Sequence, residues 1–483
     1  MKTPSDPEQS GFSGFFAENK TYIILSLLII VPFFVWGTYY VILQNRLEKL
    51  NSEIRSKGQP VTLQELDKWY TEVPAPENAA DAYQTAFREY AKEPSDDKLV
   101  MFCGFAAIPA LGDPIQEDVL KASSEYLESK REAIPLLQKA AAMDKCRFNV
   151  NLKEGFGALL PHLSPLRQGT RLLSLESLME MEKGNCDKAV EASVAGLKLP
   201  KSLKDEPVLI SYLVMIACES IALSNIEWII NRGNLSDSQL FELSKYIIES
   251  EKNCVNSIEI ALAGERVSWT NTPLENLLDS GYGPSTPSTP GNLLARFFYS
   301  SYELSGLATL NKIKYAEMIE ELMEISKTPY NKSRLDTFET RIRNLPMIYP
   351  LIKMVAPALT ALFAKKANIE AASKVTLAGL AVGRYRLKHG KLPESLNDLV
   401  PEFLPSIPID PFNGNQLIYK KGEVVLEKLL PGEESSSGKY ENITKKGYVI
   451  YSVGQNGLDD GGVSMRSSSK YKHGDITFTV IRE

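Results

Sequence analysis

The run "TYIILSLLIIVPFFVWGTYYVIL", from Thr21 to Leu43, carries no charged side chain. A helix over it, rising about 1.5 Å per residue, spans the roughly 30 Å of hydrocarbon in a bilayer. Trp36, Tyr39 and Tyr40 lie toward its C-terminal end, where amphipathic rings favour the membrane–water interface. Pro32 sits inside the run, a position that a bilayer helix tolerates. The run is longer than the apolar part of a cleaved signal peptide, and no small-x-small site follows it. A single-pass anchor is therefore expected: a tail at 1–20, a transmembrane helix at 21–43 contacting the lipid bilayer, and a helical stalk at 44–60. Leu43, Leu47, Leu50 and Ile54 recur at helical spacing. That stripe is too short for a firm coiled coil and suits a lone amphipathic extension. Lys2 and Lys20 precede the span, whereas Arg46, Lys49, Arg55 and Lys57 follow it. The positive-inside count taken alone puts the bulk of the chain in the cytoplasm.

Beyond the stalk, residues 61–356 read as a helical domain. In "VTLQELDKWY", Thr62 and Glu65 are spaced as a capping box, each satisfying an otherwise orphan backbone donor. In "GNLSDSQLFEL", Gly233 is expected to end one helix in the left-handed conformation. Ser236 and Gln239 then start the next, with Leu235 and Leu240 as a hydrophobic staple. Another hairpin turns at Gly184, and Ala189, Gly196 and Pro200 follow at intervals similar to the second half of a tetratricopeptide repeat. No 34-residue self-similarity extends along the chain, so the expectation is an irregular, TPR-like bundle. "SGYGPSTPSTPGN", at 280–292, interrupts the helices with residues that forbid regular structure, and reads as a surface loop.

Little in this region points to chemistry. With 54 basic and 60 acidic residues the formal charge is −6, which gives no field for nucleic acid. The five cysteines form no CxxC pair, and Cys218 lies within an apolar run, so buried free thiols are expected. The three histidines, His162, His389 and His473, are scattered. Glu182, Glu219, Glu265 and Glu370 lie on expected helices and read as solvated faces. Arg147 and His162 interrupt apolar contexts, and a satisfied, partly buried polar residue explains each at least as well as a ligand role. No phosphate-binding glycine loop, HExxH or GxSxG occurs. A non-enzymatic, partner-binding body is the leading expectation. The alternative is an enzyme whose site is assembled from distant helices.

Residues 357–483 read as a small α+β module: a helix from Pro357 to His389, roughly 50 Å long, then an antiparallel sheet. Its small residues Ala371, Ala372, Ala378, Gly379, Ala381 and Gly383 allow close packing. The strand candidates are "QLIYK", "EVVLEKL", "GYVIYSV" and "DITFTVI". The fold class is thus mainly α, with an N-terminal transmembrane helix, an irregular helical bundle and a C-terminal sheet.

The stretch "AVGRYRLKHGKLPESLNDLVPEFLPSIPIDPFNGNQLIY", followed by "GYVIYSVGQNGLDDGG" and "GDITF", resembles the globular part of type II secretion major pseudopilins, from Lys374 to the end. The resemblance implies a structural calcium ion held between the last strands. Asn456 stands where the family usually has aspartate, Asp475 matches the carboxylate before isoleucine, Asp459 and Asp460 add charge, and Leu458 offers a carbonyl. Calcium takes six to eight hard oxygens of these kinds, and a hydrogen-bonded turn uses the same residues equally well. The family's processing site is not matched: "SGFFAENKTYIIL" has Glu18 without the Thr-Leu-x-Glu register. Stretches such as "LDKWYTEVPAPENAADAY" and "DEPVLISYLVMIA" are also similar to uncharacterised bacterial single-pass membrane proteins with a helical middle and this type of C-terminus. The pseudopilin resemblance implies an extracytoplasmic bulk, on the periplasmic side of the inner membrane, against the positive-inside count.

Overall fold

The computed structural model describes residues 20–90, 98–106, 109–273, 300–429, 440–464 and 474–481. The N-terminal tail up to residue 19, the 280–292 loop and His473 lie outside them. The protein is mainly helical, with a small antiparallel sheet near the C-terminus, as expected.

The span and stalk form one helix, α1 (Lys20–Ser56), unbroken at Pro32. Tyr22, Leu25, Leu28, Phe33, Phe34 and Ile42 present exposed apolar side chains, whereas Leu43 and Ile54 are buried. The stalk stripe is covered within the chain: α1 runs beside α10 (Leu307–Ser326). Gln44 donates to Thr309 at 3.1 Å, Arg46 pairs with Glu317 at 2.6 Å, and Lys57 pairs with Glu320 at 2.6 Å. Arg266, fully buried, then ties the foot of α1 to the body. Its guanidinium donates to Gln59 at 2.8 Å and to the Pro60 carbonyl at 3.0 Å, and pairs with Glu320.

The body is built from α2 (Leu63–Trp69), α3 (Ala79–Tyr90), α4 (Glu117–Ser129), α5 (Ala133–Ala142), α6 (Leu163–Glu182), α7 (Cys186–Lys198), α8 (Leu209–Arg232) and α9 (Asp237–Asn271). After α10 come α11 (Lys332–Arg343) and α12 (Pro350–His389). Helices α1 and α8 are both long and apolar enough to cross a membrane. Tyr212, Met215, Cys218, Ile226 and Ile229 of α8 are buried among other helices, so its all-round apolarity is that of a core helix.

Two helix ends depart from expectation. Ser236 and Gln239 form the reciprocal capping box, but Gly233 is extended, with φ −123°. A glycine there leaves room for the Met181 thioether, which an added β-carbon would push aside. Thr62 caps α2 by accepting from Glu65 N at 3.2 Å, while the Glu65 carboxylate takes the Val61 N–H at 2.8 Å rather than closing the box on Thr62. Burial alone would raise the Glu65 pKa, but the Val61 bond together with the Arg55 guanidinium and the Thr62 backbone lowers it overall.

Helix α12 begins at Pro350, earlier than Pro357, because Pro350 occupies the first turn, where no donor is lost. Gly390, at φ 70°, ends it. The sheet is β1 (Ile418–Leu429), β2 (Tyr440–Ser452) and β3 (Ile476–Val480), in that order and antiparallel throughout. The first two strand candidates fuse into β1, since Gly422 at φ 110° lets the strand continue. Gly379 of α12 packs directly on the Phe478 ring of β3. One apolar core runs from Leu66 to Val480. The free edge of β3 is closed by side chains of α8. Thr479 N donates to Glu227 at 2.7 Å, Asn231 Nδ2 to the Thr479 carbonyl at 2.8 Å, and Ile481 N to Asn231 Oδ1 at 2.9 Å. Such pairing blunts an edge that would otherwise recruit another strand.

Candidate functional site

Four of the residues singled out in the sequence separate into two pairs. Glu182 pairs with Arg232 at 2.9 Å, and Glu370 with Lys374 at 2.6 Å. Glu219 and Glu265 are core residues and not solvated ones. Glu219 accepts from Ser250 at 2.5 Å and Cys254 at 2.9 Å, and burial raises its pKa. Glu265 accepts from Tyr315 at 3.2 Å, and burial pushes its pKa to about 7. Each follows a run of apolar residues, "YLVMIAC" before Glu219 and "IALAG" before Glu265, a signal for burial that isolated charges on helices do not usually carry.

Arg147 and His162 are satisfied, as read from the sequence. Arg147 donates to the Tyr70 carbonyl at 3.0 Å and lies over the Tyr70 ring. His162 stacks on Phe148 with ring centroids 4.2 Å apart and meets Glu206 at 3.1 Å. Glu206 also takes the Tyr70 hydroxyl at 3.3 Å and bonds Ser211. The carboxylate stands between the imidazole and the serine, so the imidazole does not bond the serine hydroxyl. This is a locked core network.

A cavity of about 640 Å³ opens where five segments meet: Gln59 at the foot of α1, Trp69 of α2, Glu259 of α9, Lys327 at the end of α10, and Lys366 and Glu370 of α12. Its volume is of the size that holds a small molecule. Lys366 is only 9% exposed and gives one N–H to the Ser326 carbonyl at 2.8 Å. Burial lowers its pKa, while Glu370 and Glu259 pull it back. Lys374, having paired with Glu370, also donates to the Ile409 carbonyl at 3.1 Å. Nearby on α9, Glu251 is pushed to about 7 by burial, with Lys374 opposing and Glu370 adding to the rise. The cavity thus offers an ammonium and carboxylates on one wall and an indole on another. No sequence motif marks these residues, because they come from distant segments and meet only through packing.

The second constellation is the loop after β2. Asn456 Nδ2 donates to Asp460 at 2.7 Å, Asp460 N to Asp475 at 3.3 Å, Gly462 N to Asp475 at 2.7 Å, and Gly474 N to Asp460 at 2.8 Å. Asn456, Asp460 and Asp475 are therefore brought together. Asp459 turns instead to the Tyr451 hydroxyl and Gly461 N, both at 2.9 Å, with Lys420 at 3.9 Å. Leu458 is exposed, and its N–H donates to Asn456 Oδ1 at 3.0 Å. Positive φ at Gly454, Gly457, Gly461 and Gly462 lets the amides converge on these oxygens. Asp410, unremarked as a site residue in the sequence, holds the other side: it accepts from Ser452 Oγ and Val453 N, both at 2.9 Å. Asp475 is fully buried. Burial, with Asp460 and Asp459 adding, pushes its pKa to about 6 against the opposing backbone N–H bonds. Among the described residues no three His, Cys, Asp or Glu side chains form a metal cluster. The loop thus gathers two carboxylates and an amide, whose oxygens accept from backbone and amide N–H groups, around a buried acid, Asp475, that pairs with no cationic side chain among the described residues.

Comparison with protein-family models, curated proteins and solved structures gives no match.

Proposed function

We propose that the chain is a single-pass membrane-anchored, non-enzymatic envelope protein. Its TPR-like helical body binds a small ligand or the end of a partner protein in the Lys366 cavity. The observation that carries this reading is the cavity itself, in which opposite charges are already fixed by neighbours. Lys366 rests on Ser326 O and Glu370 on Lys374, so the lining is set to hold complementary charges and not to trade protons. A zwitterion, such as an amino acid or a peptide terminus, matches it, with its carboxylate toward Lys366, its amine toward Glu259 or Glu370, and its apolar part on Trp69. The test is calorimetric titration of free amino acids and dipeptides into the full chain in lipid nanodiscs. Binding that Lys366→Met removes while the fold persists supports the reading; wild-type protein that takes up none of them overturns it.

The enzyme reading draws on the same carboxylates. It predicts chemical turnover of a bound ligand, detectable by mass spectrometry of the ligand pool.

The C-terminal part is read as a pseudopilin-like module in which Asn456, Asp460 and Asp475 hold a structural calcium, with Asp459 and the Leu458 carbonyl nearby. When bound, the ion neutralises the buried acid and stiffens the loop. That role belongs outside the cytoplasm, where calcium is plentiful, and favours a periplasmic bulk on a secretion-associated protein. A C-terminal reporter active only in the periplasm supports this orientation; one active only in the cytoplasm refutes it.

A further inference from the structure

A second stretch of backbone lies beside the C-terminal part of the uncharged run. The Trp36 indole donates to the Leu304 carbonyl at 2.8 Å. Trp36 lies about 10 Å, at 1.5 Å per residue, inside the end of the uncharged run at Leu43. Gly306, at φ 80°, presses against Leu43, Tyr39 and Tyr40, so closely that an added β-carbon would lie 3.0 Å from Leu43 and 3.4 Å from Tyr39. A second segment joins the first. Asn311 Nδ2 donates to the Ile348 carbonyl at 3.0 Å, and Tyr349, next in the chain, lies within electrostatic reach of Glu317 and Arg46, the pair that joins α10 to α1. These two segments carry outward-facing apolar side chains: Leu304 is 62% exposed, Met347 79% and Ile348 41%. A soluble surface has no reason to gather such side chains next to a membrane helix.

We infer that the body is seated on the bilayer and does not merely hang from its anchor. Leu304, Met347 and Ile348 enter the interfacial layer of a phospholipid surface beside α1, and Arg46 lies at headgroup level. The inference rests on reading 21–43 as the span, and it commits to lipid as the occupant because the patch is continuous with the lipid-facing part of α1. Interfacial seating of this kind buries apolar side chains at the headgroup–acyl boundary. It also fixes the tilt of the body, which an anchor joined by a loose linker would leave free.

The test uses the full chain in phosphatidylcholine–phosphatidylglycerol vesicles whose acyl chains are brominated near the headgroup, with tryptophan quenching as the readout. Three proteins are compared: wild type, Met347→Trp, and Leu458→Trp as a control in the exposed loop after β2. Trp36 in wild type reports the anchor; its share of the quenching is isolated with Trp36→Phe. The expected result is quenching of Trp36, added quenching in Met347→Trp, and none added in Leu458→Trp. If Trp36 is quenched and Met347→Trp adds nothing, the seating is wrong and the anchor stands. If Trp36 itself is not quenched, the anchor reading falls and the seating with it. Ile348→Trp repeats the measurement should Met347→Trp fail to fold.

Discussion

Gly379 and Gly383 lie four residues apart on α12, and replacing each with alanine should move stability in opposite directions. An alanine β-carbon at Gly379 would overlap the Phe478 ring. Phe478 is fully buried in the core against α12, so the ring has no room to swing aside. Overpacking of this kind costs about 1–3 kcal/mol, and the better helix propensity of alanine returns about 1 kcal/mol. The net loss is then up to about 2 kcal/mol. At Gly383 the nearest atom to an added β-carbon is Leu240 Cδ1 at 3.3 Å, the end of a flexible side chain that yields by a few tenths of an ångström. Gly383→Ala should therefore gain about 0.5–1 kcal/mol. Urea unfolding of the full chain in micelles, with slopes checked for equality, measures both. The Tyr448 hydroxyl, which donates to the Gly379 carbonyl at 3.2 Å, gives a local near-ultraviolet signal. If Gly379→Ala is as stable as Gly383→Ala, the close helix-on-strand contact does not exist.

Three further outcomes are expected. Glu265 titrates near 7 in the folded chain and near 4.5 when unfolded, so the folded state binds the extra proton between those values and stability falls as pH rises through that window. The difference of 2.5 units is worth about 3 kcal/mol. Glu265→Gln should remove its share of the slope between pH 5 and 7.5 and leave the parts due to Glu251 and Asp475; an unchanged slope in chemical denaturation refutes it. Asn231→Ala leaves the Thr479 carbonyl and the Ile481 amide unpaired, at a cost of about 2–4 kcal/mol, and hydrogen exchange at Ile481 should accelerate; unchanged protection there contradicts the edge contact. Added calcium should raise the melting temperature of the full chain, by about 2.7 kcal/mol of stability at a hundredfold excess over Kd, and Asp475→Asn should abolish the rise. No rise in the wild type rejects the cation.

What was legible in the sequence was whatever local chemistry decides. The uncharged run, the Ser236–Gln239 cap and the small residues of α12 each act within a few positions, and each is present in the fold. Gly233 shows the limit: its place at a helix end is local, but its reason is the Met181 side chain from another helix. Gly422 is similar: the strand candidates on either side of it are one strand, because the partner β2 pairs straight past it. Glu219 and Glu265 were misread because a lone acid on a helix is usually wet, and only serine, cysteine and tyrosine partners from other helices make burial tolerable. The Lys366 cavity was invisible for the same reason.

These contacts give the chain a mechanical continuity that bears on its role. The foot of α1 is held by Arg266 and Glu320, and Gln59, one of the groups bonded to Arg266, also lines the Lys366 cavity. Lys366 and Glu370 belong to α12, whose C-terminal half carries the sheet through Gly379. An occupant of the cavity therefore touches both the base of the anchor and the helix that positions the terminal loop. Whatever fills it links the two, whereas a cavity lined by one hairpin would leave them independent. Binding that orders Gln59 and Lys366 together should protect the amides at the foot of α1 and those of α12 in the same titration, and protection confined to one of the two would break the link.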